Sequence, residues 1–306
     1  MDTLPLDIGK LIHDLFDFPT QVNLRLVSKH FAESYPITNL YDNLLMSSKL
    51  TDEILESYPF TRKLFISYQM SITNINHLKY LQVLSIYEPY LKKNFGICHM
   101  INLQKLNVNH CEGITNDDLK FLINLTELSI HGTKITMIKH LTNLQVLHAA
   151  GTMINNDELS ALTNLVTLNV NSTTSIIDVN HLTKLRELFA GNTCGIDDHG
   201  ISLLDGLRKL HVPNNKKISK ISHMTNLTIL NANFKISDND ISNLTNLTEL
   251  NVIANKWITN VNHLANLRIL FAGSECGIDD NGISKLTNLT ELCYEYNPKI
   301  TRIISK

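Results

Sequence analysis

The chain has 306 residues, 43% hydrophobic and 18% charged, with 27 Lys and Arg against 29 Asp and Glu for a formal net charge of −2. That balance suits a folded, soluble protein and gives no reason to expect general binding to nucleic acid or anionic membrane. No run of about eighteen apolar residues and no charged-then-apolar leader is present, so the expected location is intracellular, cytoplasmic or nuclear. Its five cysteines, Cys98, Cys111, Cys194, Cys276 and Cys293, form no Cys-x-x-Cys pair and read as small hydrophobic residues of a reducing compartment.

Residues 1–36 open on Leu4-Pro5-Leu6-Asp7-Ile8. Proline is tolerated in the first turn of a helix, and Ile8, Ile12 and Leu15 then recur at helical spacing along one face. Pro19 marks a break, after which Val22, Leu26 and Val27 begin a second helical stretch that closes on Val27-Ser28-Lys29-His30-Phe31. One reading of this small helical element is a cap over the open edge of whatever follows. Residues 37–60 read as a degenerate first repeat and a connection.

From Thr61 to the end at Lys306 one phrase recurs, aliphatic at its first, fourth and usually sixth positions. After a copy at Thr61 that lacks the leading leucine, it begins at Leu81, Leu103, Leu125, Leu144, Leu165, Leu185, Leu207, Leu227, Leu247, Leu267 and Leu289. Successive starts are 19 to 22 residues apart, giving about twelve units. Each phrase predicts a short strand with alternating side chains, stacked in parallel about 4.8 Å from the next. The ninth position holds Cys111, Asn215, Asn255 and Asn297, or threonine at Thr133, Thr152, Thr173 and Thr193, all able to bond turn backbone.

Long and short return segments alternate, so the larger period is a pair of about 41 residues. The long form is seen at Ile114-Thr115-Asn116-Asp117-Asp118-Leu119 and Ile236-Ser237-Asp238-Asn239-Asp240-Ile241, where the polar residues and acids suit the start of a short helix. The short form, as at Ile258-Thr259-Asn260-Val261-Asn262-His263-Leu264, predicts a turn or 3₁₀ segment. Pairs such as Asp197-Asp198 and Asp279-Asp280 read as caps rather than catalytic carboxylates.

These phrases and their Asn or Cys position resemble the leucine-rich-repeat family. The resemblance implies an α/β solenoid with a parallel concave sheet and short helices or turns on the convex side. Leu4-Pro5 and Val27-Ser28-Lys29-His30-Phe31 resemble an F-box at that family's spacing, with Phe31 where tryptophan is usual. Cys111-Glu112-Gly113-Ile114-Thr115-Asn116 is similar to the repeat subtype of F-box/leucine-rich-repeat proteins, the substrate receptors of cullin-RING ubiquitin ligases.

That resemblance implies that Leu4, Pro5, Ile8, Ile12, Leu15, Val27, Ser28 and Lys29 face the ligase adaptor, which joins them to the cullin scaffold. The repeats would hold an unidentified protein target, and the ligase chemistry would lie in other subunits. The alternative is a repeat scaffold or decoy whose N-terminus only caps the array. The abundance of Asn and Ile resembles proteins of AT-rich genomes, among them amoebae and the large DNA viruses that infect them, which would place a viral chain in its host cell.

Alternation across the strand turns the third and fifth positions outward. The candidate target contacts are Phe65, His148, Phe189, His211, Ile229, Ile269 and Phe271, since large apolar groups on a solvent-facing column mark binding sites. An alternative has Phe189 and Phe271 lying back over Gly191 and Gly273. His77, His140, His181, His223 and His263 share one return position, mostly two coils or about 10 Å apart, too far for ligands that each sit about 2 Å from zinc. They read as a structural column. With no His-Glu-x-x-His, phosphate loop or nucleophile elbow, the expectation is no enzyme, no metal, no cofactor and no nucleic-acid or membrane partner.

Overall fold

A computed structural model describes residues 39–40, 51–56, 58–67, 72–87, 95–232 and 234–301. The helical element expected over residues 1–36, with all eight of its adaptor-facing candidates, lies outside them. The chain divides into two compact units between Leu144 and Gln145. In the first, β1 (Asn39–Leu40), β2 (Lys63–Ser67), β3 (Val83–Tyr87), β4 (Lys105–Asn107) and β5 (Glu127–Ser129) pair in parallel and in chain order. In the second, β6 (Val146–His148), β7 (Thr167–Asn169), β8 (Glu187–Phe189), β9 (Lys209–His211), β10 (Ile229–Asn231), β11 (Glu249–Asn251), β12 (Ile269–Phe271) and β13 (Glu291–Cys293) do the same.

Leucine meets leucine across each pair, as at Leu210↔Leu230 and Leu230↔Leu250. Each coil contributes one layer of core: Leu247, Leu250, Val252, Ile258, Val261 and Leu264 are all at 0% exposure. One layer alone leaves both of its faces bare, so the apolar surface is removed from water only when coils stack.

The chain leaves most strands through a left-handed residue at the eighth phrase position, among them His110, Ser172, Asn214, Ala254 and Tyr296. The bend turns backbone groups inward, where they need partners. Asn255, fully buried, donates from Nδ2 to the Ile236 carbonyl at 3.0 Å and accepts from the Trp257 and Ile258 amides at 2.8 and 3.1 Å. Asn215 reaches the carbonyls of Ala190 and Ile196, and Asn297 those of Ala272 and Ile278. Where threonine stands, its single hydroxyl does less: Thr133 donates to the Ile130 carbonyl and accepts from the Ile135 amide, both in its own coil, whereas Thr173 reaches Ala149 on the coil before.

One expected member of this ladder is corrected. Thr193 is exposed and Cys194 is buried at 0%, because the coil places one more residue between left-handed Asn192 and the inward position. The same displacement puts Cys276 inside after left-handed Ser274. A thiol is a weak donor. Its coil is served instead by the next coil's asparagine, Asn215 or Asn297, and burial pushes both thiols up from their ordinary pKa.

Of the five long segments, Asn116–Leu119, Asn156–Leu159 and Asp238–Ile241 form single-turn α-helices, His199–Ile201 is 3₁₀, and the copy after Ile278 is a series of turns. The two non-α copies carry Gly200 and Gly282, where a Cβ would run into the carbonyl oxygens of Ile177 and Thr259 on the coil before. Here the backbone of the neighbouring coil approaches too closely for any other residue. The Val179 and Val261 amides donate to the carbonyls of these glycines at 2.9 Å.

The polar residues of the long segments divide their work. Asp118 and Asp240 cap their own helices, accepting from the amides of Thr115 and Ser237 at 2.8 and 2.9 Å. Others reach forward: Asn116 accepts from the amides of Thr136 and Met137, Asp198 from Ser219 and Lys220, and Asp238 from Thr259 and Asn260. Each long coil thus grips the short coil that follows, which is the physical content of the pair. Asp52 does the same for Thr73: burial raises its pKa, but the Thr73 hydroxyl and the amides of Thr73 and Asn74 outweigh this and leave it lowered. This grip holds at neutral pH and loosens as acid protonates the carboxylate.

Four of the five return-position histidines bond the coil before, while His77 Nε2 is buried without a hydrogen-bond partner among the described residues. Nε2 of His140, His181, His223 and His263 lies 3.1, 3.1, 3.4 and 3.1 Å from the carbonyl oxygens of Leu119, Leu159, Ile201 and Ile241, closing the preceding helical turn. Loss of the buried ladder should cost more than loss of the surface grip. Asn255→Ala is expected to lower unfolding free energy by about 2–4 kcal/mol, since it strands buried backbone groups, and Asp238→Ala by about 1 kcal/mol. Denaturant titration of both variants checks the order.

Candidate functional site

Because the inward alternate positions are filled by core leucines, functional side chains on the strands are confined to the outward ones. In the second unit the third-position column runs Val146, Thr167, Glu187, Lys209, Ile229, Glu249, Ile269 and Glu291, and the fifth His148, Asn169, Phe189, His211, Asn231, Asn251, Phe271 and Cys293. All seven sequence candidates, including Phe65 on β2, are half-buried.

The structure brings some of them together. Phe189 and His211, paired in register on β8 and β9, stack with ring centroids 4.4 Å apart and an interplanar angle of 5°. Ile229 is next across the sheet, in register with Lys209 on one side and Glu249 on the other. Ile269 and Phe271 share β12 as a second apolar pair, flanked by Glu249, Glu291, Asn251 and Cys293. Phe189 and Phe271 are four strands apart, about 19 Å at ordinary strand spacing. His148 stands two strands from Phe189 with Asn169 between, and Phe65 belongs to the first unit, next to buried Ser85.

Charge surrounds these anchors. Lys209 Nζ lies 2.6 Å from Glu187 Oε1 beside the Phe189–His211 stack. Burial pushes the His211 pKa down, against the raising effect of Glu249 and Glu187 and with a smaller lowering from Lys209. The imidazole is therefore held neutral at neutral pH, which favours its stacking on an aromatic ring. A Cβ on Gly191 would stand 2.8 Å from the Pro213 carbonyl oxygen, and one on Gly273 2.8 Å from that of Glu295. Those glycines serve coil stacking.

A second feature was not singled out in the sequence. Along the edge where the chain enters the strands of the second unit, a groove of about 490 Å³ is lined by Arg208, Asn226, Thr228, Asn246, Thr248, Asn266, Arg268 and Asn288. Its floor explains the recurrent Asn-Leu-Thr triplets. Asn226, Asn246, Asn266 and Asn288 donate from Nδ2 to carbonyls of the coil before, those of Asp205, Thr225, Thr245 and Ala265, at 2.8–3.0 Å. The Thr228 and Thr248 hydroxyls donate to the Arg208 and Thr228 carbonyls. The visible signal is the asparagine that immediately precedes the phrase.

Among the described residues no three His, Cys, Asp or Glu side chains converge as a metal site, and no helix is long and apolar enough to cross a membrane. Phe189→Ala should admit water to His211 and raise its pKa toward the ordinary histidine value of about 6.5, as read by NMR titration. With a folded pKa below the unfolded one, His211 contributes stability above that ordinary value and loses it as pH falls toward the folded value.

No protein-family model matches the sequence, and no curated protein does. Solved structures do match. An internalin from Listeria monocytogenes aligns with a TM-score of 0.60 and 24% identity over 81% of this chain and 84% of its own. A leucine-rich-repeat protein of Leptospira interrogans aligns at 0.57 and 17% over 87% and 89%. The TLR13–ssRNA13 complex aligns at 0.54 and 19% over 80% of this chain and 48% of the receptor chain. With parallel strands in leucine register, one core layer per coil and these neighbours, the chain is a leucine-rich-repeat solenoid.

Proposed function

We propose that the chain is a protein-binding receptor that delivers a target to a ubiquitin ligase. The target docks on the strand face of the second unit, with Phe189, His211 and Ile229 as one anchor and Ile269 and Phe271 as another. His148 borders the first anchor, and Phe65 offers a further contact on the first unit. Residues 1–36 engage the adaptor through Leu4, Pro5, Ile8, Ile12, Leu15, Val27, Ser28 and Lys29, and through it the cullin scaffold.

The single observation that carries the binding role is the Phe189–His211 stack on an open sheet face. Aromatic side chains already ordered in the free protein lose little entropy on binding, and a neutral imidazole on phenylalanine offers apolar area with a polar tip. The rim of Glu187, Lys209 and Glu249 would reject partners of the wrong charge pattern more than it adds affinity. No step of bond making is assigned to this chain. Its work is to hold one protein beside another, in the cytoplasm or nucleus. The ligase half rests on the F-box-like register of Leu4-Pro5 and Val27-Ser28-Lys29-His30-Phe31 ahead of the repeats.

Pull-down of the purified adaptor with the full chain tests that half. The expected result is capture that is lost on Leu4→Ala with Pro5→Ala and kept on Phe189→Ala. No capture by the intact chain, together with aggregation of the repeats once residues 1–36 are removed, would mark a scaffold with a capping N-terminus instead.

A further inference from the structure

The edge groove of the second unit is distinct from the strand face, and its polarity is unequal along its length. Arg208 and Arg268 stand three coils apart, about 14 Å at the strand spacing of the sheet. Among the described residues neither guanidinium has a hydrogen-bond or ion-pair partner, while the chain as a whole carries a net charge of −2. The nearby cations are occupied: Lys184 Nζ donates to Asn164, and Arg186 to the carbonyls of Thr183 and Leu185. Asp205, the acid nearest in sequence to Arg208, gives its backbone carbonyl to Asn226.

Between the arginines the groove presents carboxamides, each with an acceptor and one further donor. Each lining asparagine has one Nδ2 hydrogen bonded to the preceding coil, which leaves Oδ1 and a second N–H, and the Thr228 and Thr248 hydroxyls have donated their protons to backbone carbonyls. A ligand that fits must bring an anion to each end and both donors and acceptors to the middle. A phosphodiester chain places acceptors along its whole backbone and meets the asparagine oxygens badly. A peptide supplies both N–H and C=O groups between its side chains.

The spacing then selects a register. An extended peptide rises about 3.4 Å per residue, so about 14 Å is four residues, and side chains at i and i+4 lie on the same side of the strand. We infer that this groove binds an extended acidic peptide segment, with carboxylates at i and i+4 held by Arg208 and Arg268 and intervening amides held by the asparagine carbonyls. Planar guanidinium groups suit carboxylates by paired hydrogen bonds, which lysine would not reproduce.

The test is fluorescence anisotropy with the full chain and a dye-labelled peptide carrying glutamates at i and i+4. The expected result is salt-sensitive binding, weakened about fivefold to tenfold by Arg208→Ala or Arg268→Ala, and lost when the glutamates are replaced by glutamine. Phe189→Ala should leave it unchanged, which separates this site from the strand face. Both arginines are exposed, so the circular dichroism of the variants should match the parent. Equal binding of a peptide with glutamates at i and i+3, indifference to both arginine substitutions, or tighter binding of a single-stranded RNA would overturn the inference.

Discussion

A backbone carbonyl or amide turned inward at a bend needs a partner, and in this protein it commonly finds one on the neighbouring coil. Most strands are three residues long and supply few ladder hydrogen bonds of their own. Side chains carry the remainder: Asn215, Asn255 and Asn297 inside the coils, Asn116, Asp198 and Asp238 on the return side, and Asn226, Asn246 and Asn288 where the chain enters the strands. Leucine burial supplies the driving force for stacking but is indifferent to small slips. The hydrogen bonds are directional, and an unmet buried one costs about 1–3 kcal/mol, so they specify the register.

That constraint decides where binding chemistry can lie. The interior is full, the return side is occupied by grips and histidine-to-carbonyl contacts, and many asparagines and threonines at the entering edge are bonded through their donors. Among the described residues, the groups left for binding include every second residue of each strand and the outward carboxamides and arginines of one edge. On the strand face, apolar anchors sit among charges held by their neighbours, an arrangement ordered before any partner arrives.

Much of this was legible in the sequence. Leu103, Leu125 and their successors set strand positions, alternation put Phe189 and His211 outward, and the spacing of His140, His181 and His263 argued for structure over metal. The departures share a cause. Thr193 was placed in the ladder by counting from Leu185, but the bend after Asn192 takes one more residue and puts Cys194 inside. Asp198 and Asp238 read as caps because capping is local, whereas their grip falls on residues about twenty positions away. The α-helical pattern weakened at Gly200 and Gly282 because another coil's carbonyl occupies the space of a side chain. Arg208 and Arg268 share a groove only once three periods are stacked, and no window of sequence contains that adjacency.

The claim beneath the whole account is that side-chain bonds from coil to coil hold the stack in register. Hydrogen exchange at the amides of Trp257, Ile258 and Thr259 tests it most directly, because these lie outside any strand yet are bonded to Asn255 and Asp238. The account predicts protection near that of the Leu250 strand amide, lost at Trp257 and Ile258 on Asn255→Ala. Fast exchange at those two amides in the intact protein, with Leu250 still protected, would contradict it.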